Sequence, residues 1–259
     1  MKYSKTITFA LIVVFAALMQ AQQLPTVTNN AFGKGEKLTF DVKYGFVTAG
    51  VAIMEIPQIR KTAGRDSYVV NFQVNSVPSF DMVYKVRTRY ESYIDVAGLF
   101  SWRFEQHIRE SKFTNDYSAF FDQRKNKART PNGSFDVPPG IHDIVSAFYY
   151  TRILDFGKMK KGESFWLKNF HDDKVNDLQV IFRGKEKVKV TAGTFNCIVV
   201  EPVVKAGGLF KSDGTILVYL TDDANRMPIL VKSKIVIGAI EAELTKYEGV
   251  KNPLTSKVN

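Results

Sequence analysis

Leu38-Thr39-Phe40-Asp41-Val42-Lys43-Tyr44-Gly45-Phe46 decides the fold. Every second residue from Leu38 is apolar, while Thr39, Asp41, Lys43 and Gly45 fall between them. Successive side chains of an extended chain point to opposite faces, so this rhythm marks a strand with one buried face. Gly50–Ile56 continues it, with a hairpin expected near Thr48-Ala49-Gly50. The same alternation returns around Tyr68–Val74, Val86–Ser92, Phe100–Ile108 and Tyr117–Phe121. Later strands are expected at 164–170, 178–183, 185–191, 194–204, 215–221, 229–237 and 239–248. Most are bounded by Gly, Pro, Asn or Asp. The tail from Asn252 is polar and expected to fray.

The period changes once. After Pro138-Pro139-Gly140, the residues Ile141, Ile144, Val145, Phe148, Tyr149 and Ile153 stand at helical spacing, and Gly157 is a stop signal. A helix over 141–156 with so wide an apolar face should be buried against the sheet. The expected class is therefore all-β: strongly twisted antiparallel sheet, as an open barrel or a sandwich, around one buried helix.

Ahead of the strands, Lys2 and Lys5 precede an uncharged apolar run, Ile7–Met19, and then Ala21. This is the three-part pattern of a secretory signal peptide, expected over 1–21, with one β-rich domain over 22–259. An uncleaved anchor is the other reading. The apolar run falls short of the roughly 20 residues of a membrane span. No later stretch is long and apolar enough to cross as a helix. An outer-membrane barrel is disfavoured by the polar end, the central helix and the many Lys, Arg and Glu at outward positions. The expected address is thus the bacterial periplasm, or the face of the outer membrane.

The chain has 259 residues, 45% apolar and 24% charged, with a net charge of +10. The positive residues are spread along strands. Only Arg124-Lys125-Asn126-Lys127-Ala128-Arg129 forms a run, which reads as a solvated hairpin tip, so no nucleic-acid partner is expected. Cys197 is the single cysteine, so no internal disulfide can form, and a buried, unreactive thiol is expected.

No nucleophile elbow and no phosphate-cradling glycine loop precedes a helix. No catalytic residue, metal ligand or cofactor is assigned. His171-Asp172-Asp173 with Asp177 is the densest acid–histidine group, read first as a polar turn and second as the seat of an envelope hydrolase. Asp143, Ser146 and Tyr150 share one helix face and Arg152 follows. With Arg87 and Arg89 on a facing strand, they form either a buried hydrogen-bond network or a ligand site.

The order of several segments resembles an exported bacterial family, domain of unknown function 3108. The opening Gly35–Phe40 with Val42, Tyr44 and Ala49-Gly50 is similar to it. So are Asp143–Arg152, Val190–Phe195 leading to Glu201-Pro202, and Thr221–Asp223 through Arg226-Met227-Pro228 to Lys232, Gly238 and Ala242–Leu244. Tyr219 stands where that family often has Trp. The resemblance implies an all-β envelope protein and brings no activity or catalytic residue. The expected role is a non-catalytic binding or interaction module for an apolar or acidic envelope ligand, such as a lipid, a glycan or another envelope protein. A structural component of an envelope complex is the third reading.

Overall fold

A computed structural model describes residues 23–204, 215–234 and 239–258. The expected signal peptide, the Gly207-Gly208 loop and the turn at Gly238 lie outside them.

The strands are β1 (Lys37–Tyr44), β2 (Val47–Thr62), β3 (Arg65–Ser76), β4 (Arg87–Asp95), β5 (Ser101–Glu110), β6 (Phe113–Asp122), β7 (Lys127–Thr130) and β8 (Gly133–Asp136). Then come β9 (Ser164–His171), β10 (Lys174–Val190), β11 (Gly193–Val204), β12 (Ile216–Thr221), β13 (Pro228–Lys234), β14 (Ala239–Glu248) and β15 (Lys257–Val258). Two short helices interrupt them, α1 (Pro78–Asp81) and α2 (Ile144–Thr151). All fifteen strands form one sheet, running β8 back to β1, across to β14, and back to β9, with β15 beside β11. The expected all-β class with a buried helix holds, in the one-sheet form.

The sheet curls without closing on itself. β8 and β9, its two ends, share no ladder. Side chains join them instead. Phe170 meets Phe121 and Phe135 with ring centroids 5.8 and 5.7 Å apart, and Asn132 donates to Asp173 at 2.6 Å. At the other end of this junction Ile141 and His142 are extended. His142 bridges to Asn169, and Ser101 donates to the Ile141 carbonyl at 3.3 Å.

Helix α2 is therefore shorter than the expected 141–156. Asp143 caps it: its Oδ1 accepts from the N–H groups of Val145 and Ser146 at 2.7 and 2.8 Å, while the Ser146 hydroxyl accepts the Asp143 N–H at 2.9 Å. That reciprocal box fixes the start. Before it the chain is held in β9's ladder, and after Thr151 it tightens into three-residue turns. Val145, Ser146, Ala147, Tyr149 and Thr151 are buried, as the wide apolar face required.

Three further expectations change. The first hairpin turns at Gly45-Phe46 rather than at 48–50, with Gly45 left-handed at φ 60°. The strands expected at 178–183 and 185–191 are one, β10, because Gly184 does not end the ladder. It sits at a bulge where the register with β11 shifts between Phe182 and Gly184. The C-terminal tail is docked. Ser256 hydrogen-bonds Asp223 at 2.7 Å, Asn225 donates to the Asn252 carbonyl at 3.1 Å, and β15 pairs with β11.

One end of the curled sheet is thus plugged by both termini of the described chain. Glu36 and Arg152 lie there with no exposed side-chain surface, joined by two bonds of 2.6 and 2.7 Å. The other end carries the turns between β1 and β2, β3 and β4, β5 and β6, β7 and β8, and β9 and β10, since every strand of an antiparallel meander reverses direction.

Candidate ligand cavity and the residues around it

Alternation puts one side chain in two on the concave face, and the short helix does not fill it. A cavity of about 320 Å³ remains between α2 and the sheet. Ile144, Val145, Phe148 and Thr151 supply its helical wall, and Phe40, Ala52, Met54, Phe72 and Tyr90 come from β1–β4. Leu178, Val180, Val200, Ile216, Val218 and Leu220 come from β10–β12. The lining is almost wholly hydrocarbon. Its polar members are few: Thr151, whose hydroxyl donates to the Ala147 carbonyl at 2.9 Å, Tyr90 and Asn169. Asn169 is 3% exposed and its Oδ1 has no hydrogen-bond partner. Burial pushes the Tyr90 phenol up, so it stays neutral, and the charge of Glu110 acts in the same direction.

On β1 the burial of the inner face falls off toward the turn into β2. Along β1, Leu38 and Phe40 are buried, Val42 is half-buried and Tyr44 is exposed. At the end plugged by the two termini Phe32, Ile56 and Tyr149 are fully buried, and beside the opposite rim Thr88, Ile108 and His171 are buried as well.

The candidate residues read from the sequence do not converge on this space. Asp143 is fully buried, and beyond the helix N–H groups it accepts the Ser92 hydroxyl at 2.6 Å. Burial pushes its pKa up, while bonds from Ser101, Ser92 and the helix backbone pull the other way. Ser146 completes the cap. Arg152 gives its guanidinium to Glu36 and to the Asn225 carbonyl, and lies over the rings of Phe32 and Tyr149 at 4.9 and 5.2 Å. Burial opposes its charge, but Glu36 outweighs that and raises the pKa. Tyr150 is half-buried with its ring 4.8 Å from His142. Arg87 and Arg89 are on the outer face, and Arg87 pairs with Asp81 at 2.6 Å. The strip divides into two buried polar groups, Asp143 and Ser146 with Ser92, and Arg152 with Glu36 and Asn225.

The His171 group is a type of tight turn, with Asp172 and Asp173 both left-handed at φ 49° and 59°. His171 is buried against Tyr117 and Phe104, 5.6 and 6.4 Å between ring centroids. Desolvation lowers its pKa against the pull of Asp172 and Asp173. Asp177 pairs with Lys168 at 2.5 Å on the outside. Among the described residues no group of three or more His, Cys, Asp or Glu is placed to hold a metal ion. Cys197 is fully buried and burial pushes its thiol up to about 12.

The cavity residues were in part visible as inward positions of alternating strands. Asn169 stands between Leu167 and the buried His171 in the inward series of β9. Nothing in the sequence marks the space itself.

A family model described as a protein of unknown function, DUF3108, matches residues 39–245. Among solved structures the chain is similar to a β-barrel-like protein of domain of unknown function DUF1849 from Brucella abortus. The two share 13% identity and a TM-score of 0.55, over 84% of this chain and 98% of that one. A protein described as exported, with a YmcC-like fold, from Bacteroides fragilis aligns over 84% of this chain and 97% of its own, at 10% identity and a TM-score of 0.38. No curated protein matches the chain.

Proposed function

Since the chain belongs to the DUF3108 family, whose description carries no activity, we propose from the cavity itself that the protein binds an aliphatic chain, such as a lipid acyl group, without transforming it. The carrying observation is the hydrocarbon lining of a space of about 320 Å³ beside α2. That volume lies at the lower end of the range for small-molecule sites. A glycan would leave its hydroxyls unpaired against such walls, at roughly 1–3 kcal/mol each. An acidic head would meet no cation in the lining. The charged start and apolar run of residues 2–19 support export, which would put the protein among envelope lipids.

A dansyl-labelled undecanoic acid titrated into the purified protein should show saturable, blue-shifted emission. Ala52→Trp, which places an indole in the space from β2, should weaken that binding at least tenfold and keep the β-sheet circular dichroism. Unsaturable emission with the native protein, or equal binding by the Ala52→Trp variant, overturns the reading.

A further inference from the structure

The cavity beside α2 has in its wall an acceptor that no donor of the described residues meets. Asn169, contributed by β9, lines the space and is 3% exposed, and its Oδ1 accepts no hydrogen bond. The neighbouring position repeats the deficit. His142 bridges to Asn169 in parallel register, so the two side chains leave the same face of the sheet. Burial lowers the His142 pKa far enough to keep its ring neutral, with a single N–H. That N–H goes to the Leu99 backbone, and Nδ1 is left as a buried acceptor without a partner. Two adjacent acceptors thus stand beside β9 with no donor between them. The Thr151 hydroxyl, also in the lining, already donates to the Ala147 carbonyl. A buried acceptor left unmet is costly, so a bound molecule that brings a donor supplies what the empty protein lacks.

This deficit sorts the heads that an alkyl chain can carry. A carboxylate or phosphate adds acceptors, and a charge where no Lys or Arg lines the space. An ammonium brings donors, but its charge would be desolvated with no Asp or Glu in the lining. An ether or ester has acceptors alone. A neutral hydroxyl supplies the donor without a charge.

We propose that the cavity selects an alkyl chain ending in a neutral hydroxyl, a long-chain alcohol in its simplest form, whose O–H donates to Asn169 Oδ1. The proposal rests on the cavity being the site of an aliphatic chain and adds to that reading the end group it selects.

Displacement of bound dansyl-undecanoic acid tests it with two isomers, 1-decanol and 1-methoxynonane, which contain the same atoms and differ in having or lacking an O–H. Decanol should displace the probe from the native protein at a concentration at least about threefold below that of methoxynonane. Decanoate ion should be weaker than decanol. In Asn169→Leu the two isomers should become equal. Asn169→Ala, which removes the acceptor without adding bulk, is read in the same way if the leucine variant does not fold. Equal displacement of the native protein by the two isomers overturns the proposal, and so does decanoate matching decanol. A preference that survives in the Asn169 variant also overturns it, because the donor bond then belongs to another lining group such as Tyr90. The two readings separate in the same titrations. Saturable dansyl binding without an isomer preference strikes out the hydroxyl and leaves the aliphatic site standing, whereas no saturable dansyl binding strikes out both.

Discussion

Glu36 and Arg152 are the most consequential pair of side chains in the molecule. They are 116 residues apart in sequence, fully buried, and bonded twice. Desolvating two charges cancels most of what their attraction yields, but removing one leaves the other charged with nothing to meet it. Glu36→Gln and Arg152→Met should each cost about 3–5 kcal/mol, while the double substitution should cost clearly less than the sum of the two. Urea unfolding of the four proteins gives that coupling directly. His142 sets a pH dependence. Burial lowers its pKa from 6.5 to about 4, only partly opposed by a bond to the Leu99 backbone. The unfolded chain therefore takes up a proton that the folded one refuses between those values. The stability from this group is complete above pH 6.5 and is lost as pH falls toward 4, by roughly 3 kcal/mol. His171 adds a loss of the same sign. Urea midpoints measured from pH 7 to 4 should fall less steeply for His142→Phe than for the native protein, and parallel curves would refute the assignment.

Among the elements, the strands were legible because alternation is a local property, and β14 emerges over the 239–248 read from the sequence. Their joints were less so. Gly184 looks like a turn residue, and only the partner strand reveals that the ladder resumes beyond it. Pro57 is similar: it sits where the β2–β3 register shifts between Glu55 and Gln58, at a bulge that needs no amide from it. The helix was legible in kind and overlong in extent, because Ile141 and Ile153 fit its spacing while lying just before the His142 bridge and in a turn. Asp143 was picked out for its chemistry, and it proves to be the cap that begins α2. Asp143→Ala should cost about 1–2 kcal/mol for the cap alone, and more in total, because the Ser92 hydroxyl also loses its acceptor. Gly249 binds two distant elements. Its φ is +63°, and a Cβ there would stand 2.0 Å from the Gly35 carbonyl oxygen. Gly249→Ala should destabilise by at least about 1–3 kcal/mol through the left-handed backbone alone, and its lowered thermal midpoint would report the contact between the chain's two ends.

At the scale of the whole molecule, the pairing of β1 with β14 sets the architecture, joining Lys37–Tyr44 to residues some two hundred positions later. No local pattern encodes which strands become neighbours at that distance, so the sequence left open both a sandwich and an open barrel. The cavity was equally unreadable, because an empty volume belongs to a helix and seven or more strands together. Cys197 reports on the integrity of that assembly. With its thiol fully buried and raised to about 12, it should react with Ellman's reagent only as fast as the protein unfolds, and rapid native labelling would contradict the packing around β11. The junction between β8 and β9 has a last consequence. A cask whose final two staves meet only through the rings of Phe121, Phe135 and Phe170, the Asn132–Asp173 hydrogen bond and the bridge from His142 to Asn169 has its seam there, the one join between neighbouring staves that could part without breaking a ladder among the described residues.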